Sequence, residues 1–147
     1  MPTKHYYDAC MLGTGQLYPL VTSSYGEDIH TFSHLGAGEA ICSEHLKKSK
    51  SPDKRMLENF IAFLSALEDR VTVVGNDCKK NYLRDILEKF PTLEIADALH
   101  LATALSNDCI IFHTADPDLT DLDIKTLHEL CDGLSCQHMT IKKHSAS

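Results

Sequence analysis

Cys109-Ile110-Ile111-Phe112 is an apolar run of strand length with no polar side to turn toward water. A strand of that kind suits the inside of a parallel sheet, where helices cover both faces. A helix predicted from about Leu93 to Ser106 leads into it. That helix has a small apolar face, Ala98, Ala102 and Leu105, able to pack closely on a sheet. Parallel strands need crossover connections, usually helical. The rest of the chain is therefore expected to alternate strand and helix.

The alternation recurs along the chain. HYYDA at 5–9 reads as a short aromatic strand, and Met11 to Gly15, with two glycines, as a loop after it. Gln16 to Asp28 shows no period that places it. Ile29 to His34 alternates apolar and polar residues as a strand does, and a helix is expected from about Gly36 to Lys48. Ser51-Pro52 offers an N-cap with proline at the first helical position. Met56, Leu57, Phe60, Ile61, Leu64 and Leu67 then follow at helical spacing. Val71 to Val74 is a β-branched strand closed by Gly75-Asn76. Tyr82, Leu83, Ile86, Leu87 and Phe90 share one face of a helix that Pro91 stops. From Thr120 the pattern fits helix or loop equally. A last strand is expected around Met139 to Ile141, with a frayed end over about 143–147. The order predicts one α/β domain over 1–147 with a mainly parallel sheet.

Composition narrows the function classes. The 147 residues carry 14 Lys+Arg against 21 Asp+Glu, a formal charge of -7, so a broad basic face for gripping nucleic acid is not expected. A nucleic-acid role would have to be local, with metal ions offsetting the carboxylates. Hydrophobic residues at 43% and charged residues at 24% suit a folded soluble chain of adequate core size. No apolar run approaches a membrane span, and MPTKHYYDAC does not read as a secretory signal, so a cytoplasmic location is expected. The six cysteines form no Cys-x-x-Cys pair and read as reduced thiols.

The chemistry is expected where acids meet strand ends. Asp8 closes the first strand, and Asp116 follows the apolar strand and its His113-Thr114-Ala115 exit. Glu39 and Asp97 fall in the first turns of predicted helices. Open parallel sheets bind ligands beside the carboxyl ends of their strands, which is also where the following helices begin. Four acids far apart in sequence can thus converge. Their mutual repulsion is then offset by hard divalent cations, which prefer oxygen ligands. No Gly-rich phosphate loop, Gly-x-Ser-x-Gly elbow or His-Glu-x-x-His is present, which removes the commonest nucleotide-hydrolase, serine-hydrolase and zinc-protease readings.

YYDA at 6–9, GEA at 38–40, IADALHLATA at 95–104 and IFHTADPDL at 111–119 resemble the PIN-domain family, which includes the VapC-type toxin ribonucleases. The resemblance implies a three-layer α/β/α domain with a four- or five-stranded parallel sheet. It also implies Mg²⁺- or Mn²⁺-dependent endoribonuclease activity at Asp8, Glu39, Asp97 and Asp116, with no protein nucleophile. Asp118 is a further candidate ligand, although its position also suits the cap of the next turn. Thr114 and His100 are candidate supporting residues. Thr114 could orient a water or satisfy a strand end, and His100 could contact a phosphate, orient a ligand or simply be a bonded core histidine. Toxin-like relatives imply RNA as substrate, an antitoxin-like protein partner and a homodimer. Ala9 stands where relatives carry Ser or Thr, and Gly13 to Asp28 lacks the apolar helix that usually follows the first strand.

Each acid has a plainer role open to it. Asp97 and Glu39 suit helix N-termini, and Asp116, beside Pro117, suits a turn. It is their joint order that favours a site. The alternative from another class is a catalytically silent PIN-like module that binds RNA or protein. A phospho-acceptor domain would want a lysine near the strand ends at Asp8 or Asp116, and none is there. His128, Cys131, Cys136 and His138 offer zinc-type ligands, but at no common spacing.

Overall fold

Strand β1 (Lys4–Tyr7) is the centre of a five-stranded sheet in the order β3-β2-β1-β4-β5. Its partners are β2 (Ile29–Ser33), β3 (Val71–Val74), β4 (Ile111–Thr114) and β5 (Thr140–Lys143). Every neighbouring pair is parallel, with His5 opposite His30 on one side and Tyr7 opposite His113 on the other. The computed structural model describes residues 2–12, 17–23, 26–39, 70–78, 81–130 and 133–144.

Because side chains alternate along a strand, β1 divides its aromatic residues between two cores. Tyr6 stacks on Phe112 at 5.1 Å on one face, and Tyr7 stacks on Phe32 at 5.1 Å on the other. Helices α1 (Ala9–Leu12) and α2 (Leu17–Ser23) supply Met11 and Val21 to the Tyr7 side. After β2, residues 34–39 form α3. Helices α4 (Tyr82–Lys89) and α5 (Ile95–Ser106) cover the Tyr6 side with Ile86, Ala98, Leu101, Ala102 and Leu105. The last helices, α6 (Pro117–Thr120), α7 (Ile124–His128) and α8 (Leu134–His138), add Leu119, Leu127 and Cys136 to that core. The sheet lies between two helical layers, a three-layer α/β/α arrangement. No helix among the described residues is long and apolar enough to cross a membrane.

The expected alternation is present, with differences that have local causes. The loop expected from Met11 begins as α1, because the Asp8 carboxylate and carbonyl accept the Ala9 and Met11 amides at 2.7 and 3.0 Å, and burial of Met11 holds the turn. The unplaced span holds α2, where Val21 is fully buried while Thr22 and Ser23 are exposed, too few apolar contacts to show a period. One short helix, α2, thus lies in the stretch in which no apolar helix was expected. Strand β4 starts two residues later than the apolar run, since Asp108 turns the chain at φ 60 and the polar residues His113 and Thr114 complete the strand. The ambiguous tail is helical, with Asp123 capping α7 through the Lys125 amide at 3.1 Å. β5 runs to Lys143, and His144 Nε2 lies 2.8 Å from His113 Nδ1, inside the stretch expected to fray. The helix expected from Ser51, and Ala40 to Lys48 of the one before it, lie outside the described residues.

Candidate metal centre

Parallel pairing brings the ends of β1 and β4 together, and Asp8 sits at that junction. Its side chain is bonded on both oxygens: Thr114 Oγ1 donates to Oδ2 at 2.8 Å, and the Ala9 amide donates to Oδ1 at 2.7 Å. Thr114 is fully buried, and its Oγ1 also accepts the Asp116 amide at 3.0 Å. One hydroxyl therefore ties the acid after β1 to the acid after β4. Cys10 Sγ lies 3.7 Å from Asp8 Oδ2 and accepts the Ala115 amide at 3.3 Å. Burial, with the charge of Asp8, raises the pKa of this thiol, which keeps it protonated beside the acids.

Asp97, Asp116 and Asp118 each offer a carboxylate oxygen, and the three oxygens lie within 4.8 Å of one another. Asp97 comes from the first turn of α5, Asp116 from the end of β4 and Asp118 from α6. Asp116, rather than Asp118, makes the cap bond of α6, accepting the Asp118 amide at 2.9 Å. Partial burial, then the charges of Asp116 and Asp8, push the Asp97 carboxyl up to about 7. Asp8 thus acts electrostatically on the same small volume as the other acids. Burial first, and like charge after it, disfavour the ionised carboxyl here, a cost that a cation would offset. The donors are oxygens only, the set that hard divalent ions take.

Glu39 joins this group through a histidine. His100, on α5 and 1% exposed, places Nε2 2.5 Å from Glu39 Oε1 and 3.5 Å from Asp8 Oδ1. Its Nδ1 lies 2.6 Å from the Tyr6 hydroxyl, which bonds Ser33 Oγ at 2.8 Å. All four expected acids therefore stand at the carboxyl edge of the sheet. Asp97 and Asp116 cluster with Asp118, while Asp8 and Glu39 share His100. Tyr6, Ser33 and Cys10 escape a sequence reading: an aromatic residue in a strand reads as core, and a strand-end serine carries no signal of its partner.

The competing zinc arrangement is differently engaged. His128 Nε2 bonds the Met139 carbonyl at 2.9 Å, and Cys136 is disulfide-bonded. That also corrects the expectation of six reduced thiols, although Cys10, Cys78 and Cys109 are free. Pairing depends on Cα separation in the fold, which spacing along the chain does not show.

A family model, PIN domain, matches residues 39–125. The matched span contains Glu39, Asp97, His100, Thr114, Asp116 and Asp118, while Asp8 and the first two strands precede it. No curated protein matches the chain.

Proposed function

The chain belongs to the PIN-domain family, a family of nuclease-type fold, and from that premise we propose that it is a metal-dependent endoribonuclease. The observation that carries this reading is the Asp97–Asp116–Asp118 cluster, at the edge of a parallel sheet where Asp8 adds its charge. Asp8, Glu39, Asp97 and Asp116 would hold Mg²⁺ or Mn²⁺, with Asp118 as a further ligand. When bound, such an ion supplies the positive charge that activates water and stabilises the leaving oxygen of a phosphodiester. The chain's own part is placement. Thr114 fixes Asp8 relative to Asp116, and the half-buried position of Asp97 limits the water that would screen the charge. RNA as substrate, an antitoxin-like protein partner, a homodimer and a cytoplasmic setting complete the reading.

The test is cleavage of a mixed single-stranded RNA pool with Mg²⁺ or Mn²⁺, and with Ca²⁺ as the comparison ion. Asp8→Asn, Glu39→Gln, Asp97→Asn and Asp116→Asn should each remove most activity while leaving the circular dichroism spectrum intact. Double mutants should lose no more than single ones, since the acids act as a unit. A wild type that cleaves with neither Mg²⁺ nor Mn²⁺ refutes the proposal and leaves a binding module.

A further inference from the structure

Glu39 poses a geometric problem that the other acids do not. Asp8, Asp97 and Asp116 project on short side chains from strand or helix ends, whereas Glu39 has a longer side chain that is 38% exposed. Holding such a side chain in one rotamer costs entropy. An acid that left its place would weaken a centre built from four. The structure shows what restrains it: His100, fixed on the buried face of α5, reaches Glu39 from beneath.

We propose that His100 is a positioning residue that holds Glu39, and the Asp8 side of the cluster with it, in ion-binding geometry, while Tyr6 and Ser33 determine which imidazole nitrogen faces the acids. The proposal rests on the reading of the carboxylate cluster as a divalent-metal centre. Nε2 faces oxygens of two carboxylates, which only accept hydrogen bonds, so Nε2 carries the hydrogen. Nδ1 lies 2.6 Å from the Tyr6 hydroxyl oxygen, whose own hydrogen goes to Ser33 Oγ at 2.8 Å, so the ring edge opposite Nε2 is also held. Ser33 Oγ accepts the Tyr6 hydroxyl and also the Gly36 amide at 3.0 Å, which ties the start of α3, the helix carrying Glu39, to the same bracket. A Cβ added at Gly36 would sit 3.5 Å from His100 Cε1 and 3.4 Å from Ser33 Oγ, so the helix backbone packs directly on the imidazole. Two strands and two helices meet at this ring. Contacts on both nitrogens fix the orientation of the ring, as they do for histidines whose second nitrogen is bonded in metal centres.

The measurement is Mn²⁺ affinity by isothermal titration calorimetry, on wild type, His100→Gln, His100→Asn, Glu39→Gln and the Glu39→Gln/His100→Asn double mutant. Glutamine places an amide N–H near the position of Nε2 and asparagine near that of Nδ1, so the two variants remove opposite ends of the bracket. Losing a group that orients a metal ligand typically weakens binding about 10–100-fold. His100→Asn should show a loss of that order, and His100→Gln should recover most of the affinity. The double mutant should lose less affinity than the two single losses combined, because His100 acts in large part through Glu39. A merely structural histidine predicts lower melting temperatures with unchanged Mn²⁺ affinity, and that result overturns the proposal, as does full additivity in the double mutant. Should His100→Asn not fold, Tyr6→Phe takes its place. It leaves Nε2 present but removes the contact that orients the ring, and unchanged affinity there overturns the proposal equally. A wild type that binds no Mn²⁺ overturns the metal-centre reading itself, an outcome distinct from a wild type that binds and a His100→Asn that binds equally well.

Discussion

Lowering the pH should weaken this protein through histidines buried on the Tyr7 face of the sheet. His5 Nδ1 lies 2.9 Å from His113 Nε2, His113 Nδ1 lies 2.8 Å from His144 Nε2, and His5 Nε2 lies 3.0 Å from Asp28 Oδ2. His30 joins the group by stacking on His5 at 4.9 Å. Burial, then the neighbouring His5, lowers His113 from 6.5 to about 3 and His30 to about 4. His144 and Lys142 act in the same sense on His113, as Arg70 does on His30, while Asp28 opposes the shift of His30. The sign follows from proton counting. Between the native and ordinary values the unfolded chain binds protons that the native state does not, so stability falls as pH drops through 6.5 and levels off near 3–4. At pH 5 each such histidine costs about 2 kcal/mol relative to neutral pH. Asp97, raised to about 7, contributes in the opposite direction, so a single curve is ambiguous. The comparison with His113→Phe isolates the effect. Phenylalanine can keep the stack on Tyr7, now at 4.5 Å, but it leaves His5 Nδ1 and His144 Nε2 without this partner. The variant should be less stable at pH 7.5 by about 1–3 kcal/mol. Its further loss down to pH 5.0 should be about 2 kcal/mol smaller than that of wild type. Urea unfolding reads this as a difference near 1 M in the change of midpoint, for a slope of about 1–3 kcal/mol per molar. Parallel stability–pH curves for the two proteins would refute the reasoning.

Two further outcomes are expected. Asp97→Asn should raise the melting temperature in chelator, because it removes repulsion from Asp116 and Asp8, and wild type should gain more than the mutant on adding Mn²⁺. A mutant that is less stable in chelator yet equally responsive to Mn²⁺ would assign Asp97 to the helix dipole alone. Thr114→Val should lower stability by about 1–3 kcal/mol, because the part-buried Asp116 amide and Asp8 Oδ2 both lose their bond to Oγ1. It should also weaken Mn²⁺ binding, and calorimetry showing wild-type affinity would separate Thr114 from the centre.

Local pattern alone determined a good part of this protein. Val71 to Val74 is β-branched and forms β3, while the 82–90 period stopped by Pro91 forms α4, because such preferences act over a few residues. The parallel sheet was legible in strand–helix alternation, and the carboxyl-edge position of Asp8 and Asp116 followed from it. Helices α1 and α2 were not legible, since what holds them is the burial of Met11 and Val21 against strands rather than any period of their own. Tertiary structure alone decided the partners. His100 meets Glu39 across 61 positions and Tyr6 across 94, and Thr114 meets Asp8 across 106. The pKa of Asp97 likewise depends on burial and on two acids from other elements. Sequence periodicity specifies which face of an element is apolar, but strand order decides which polar atoms then come within 3 Å of one another, and hydrogen bonding and charge repulsion act only at that range.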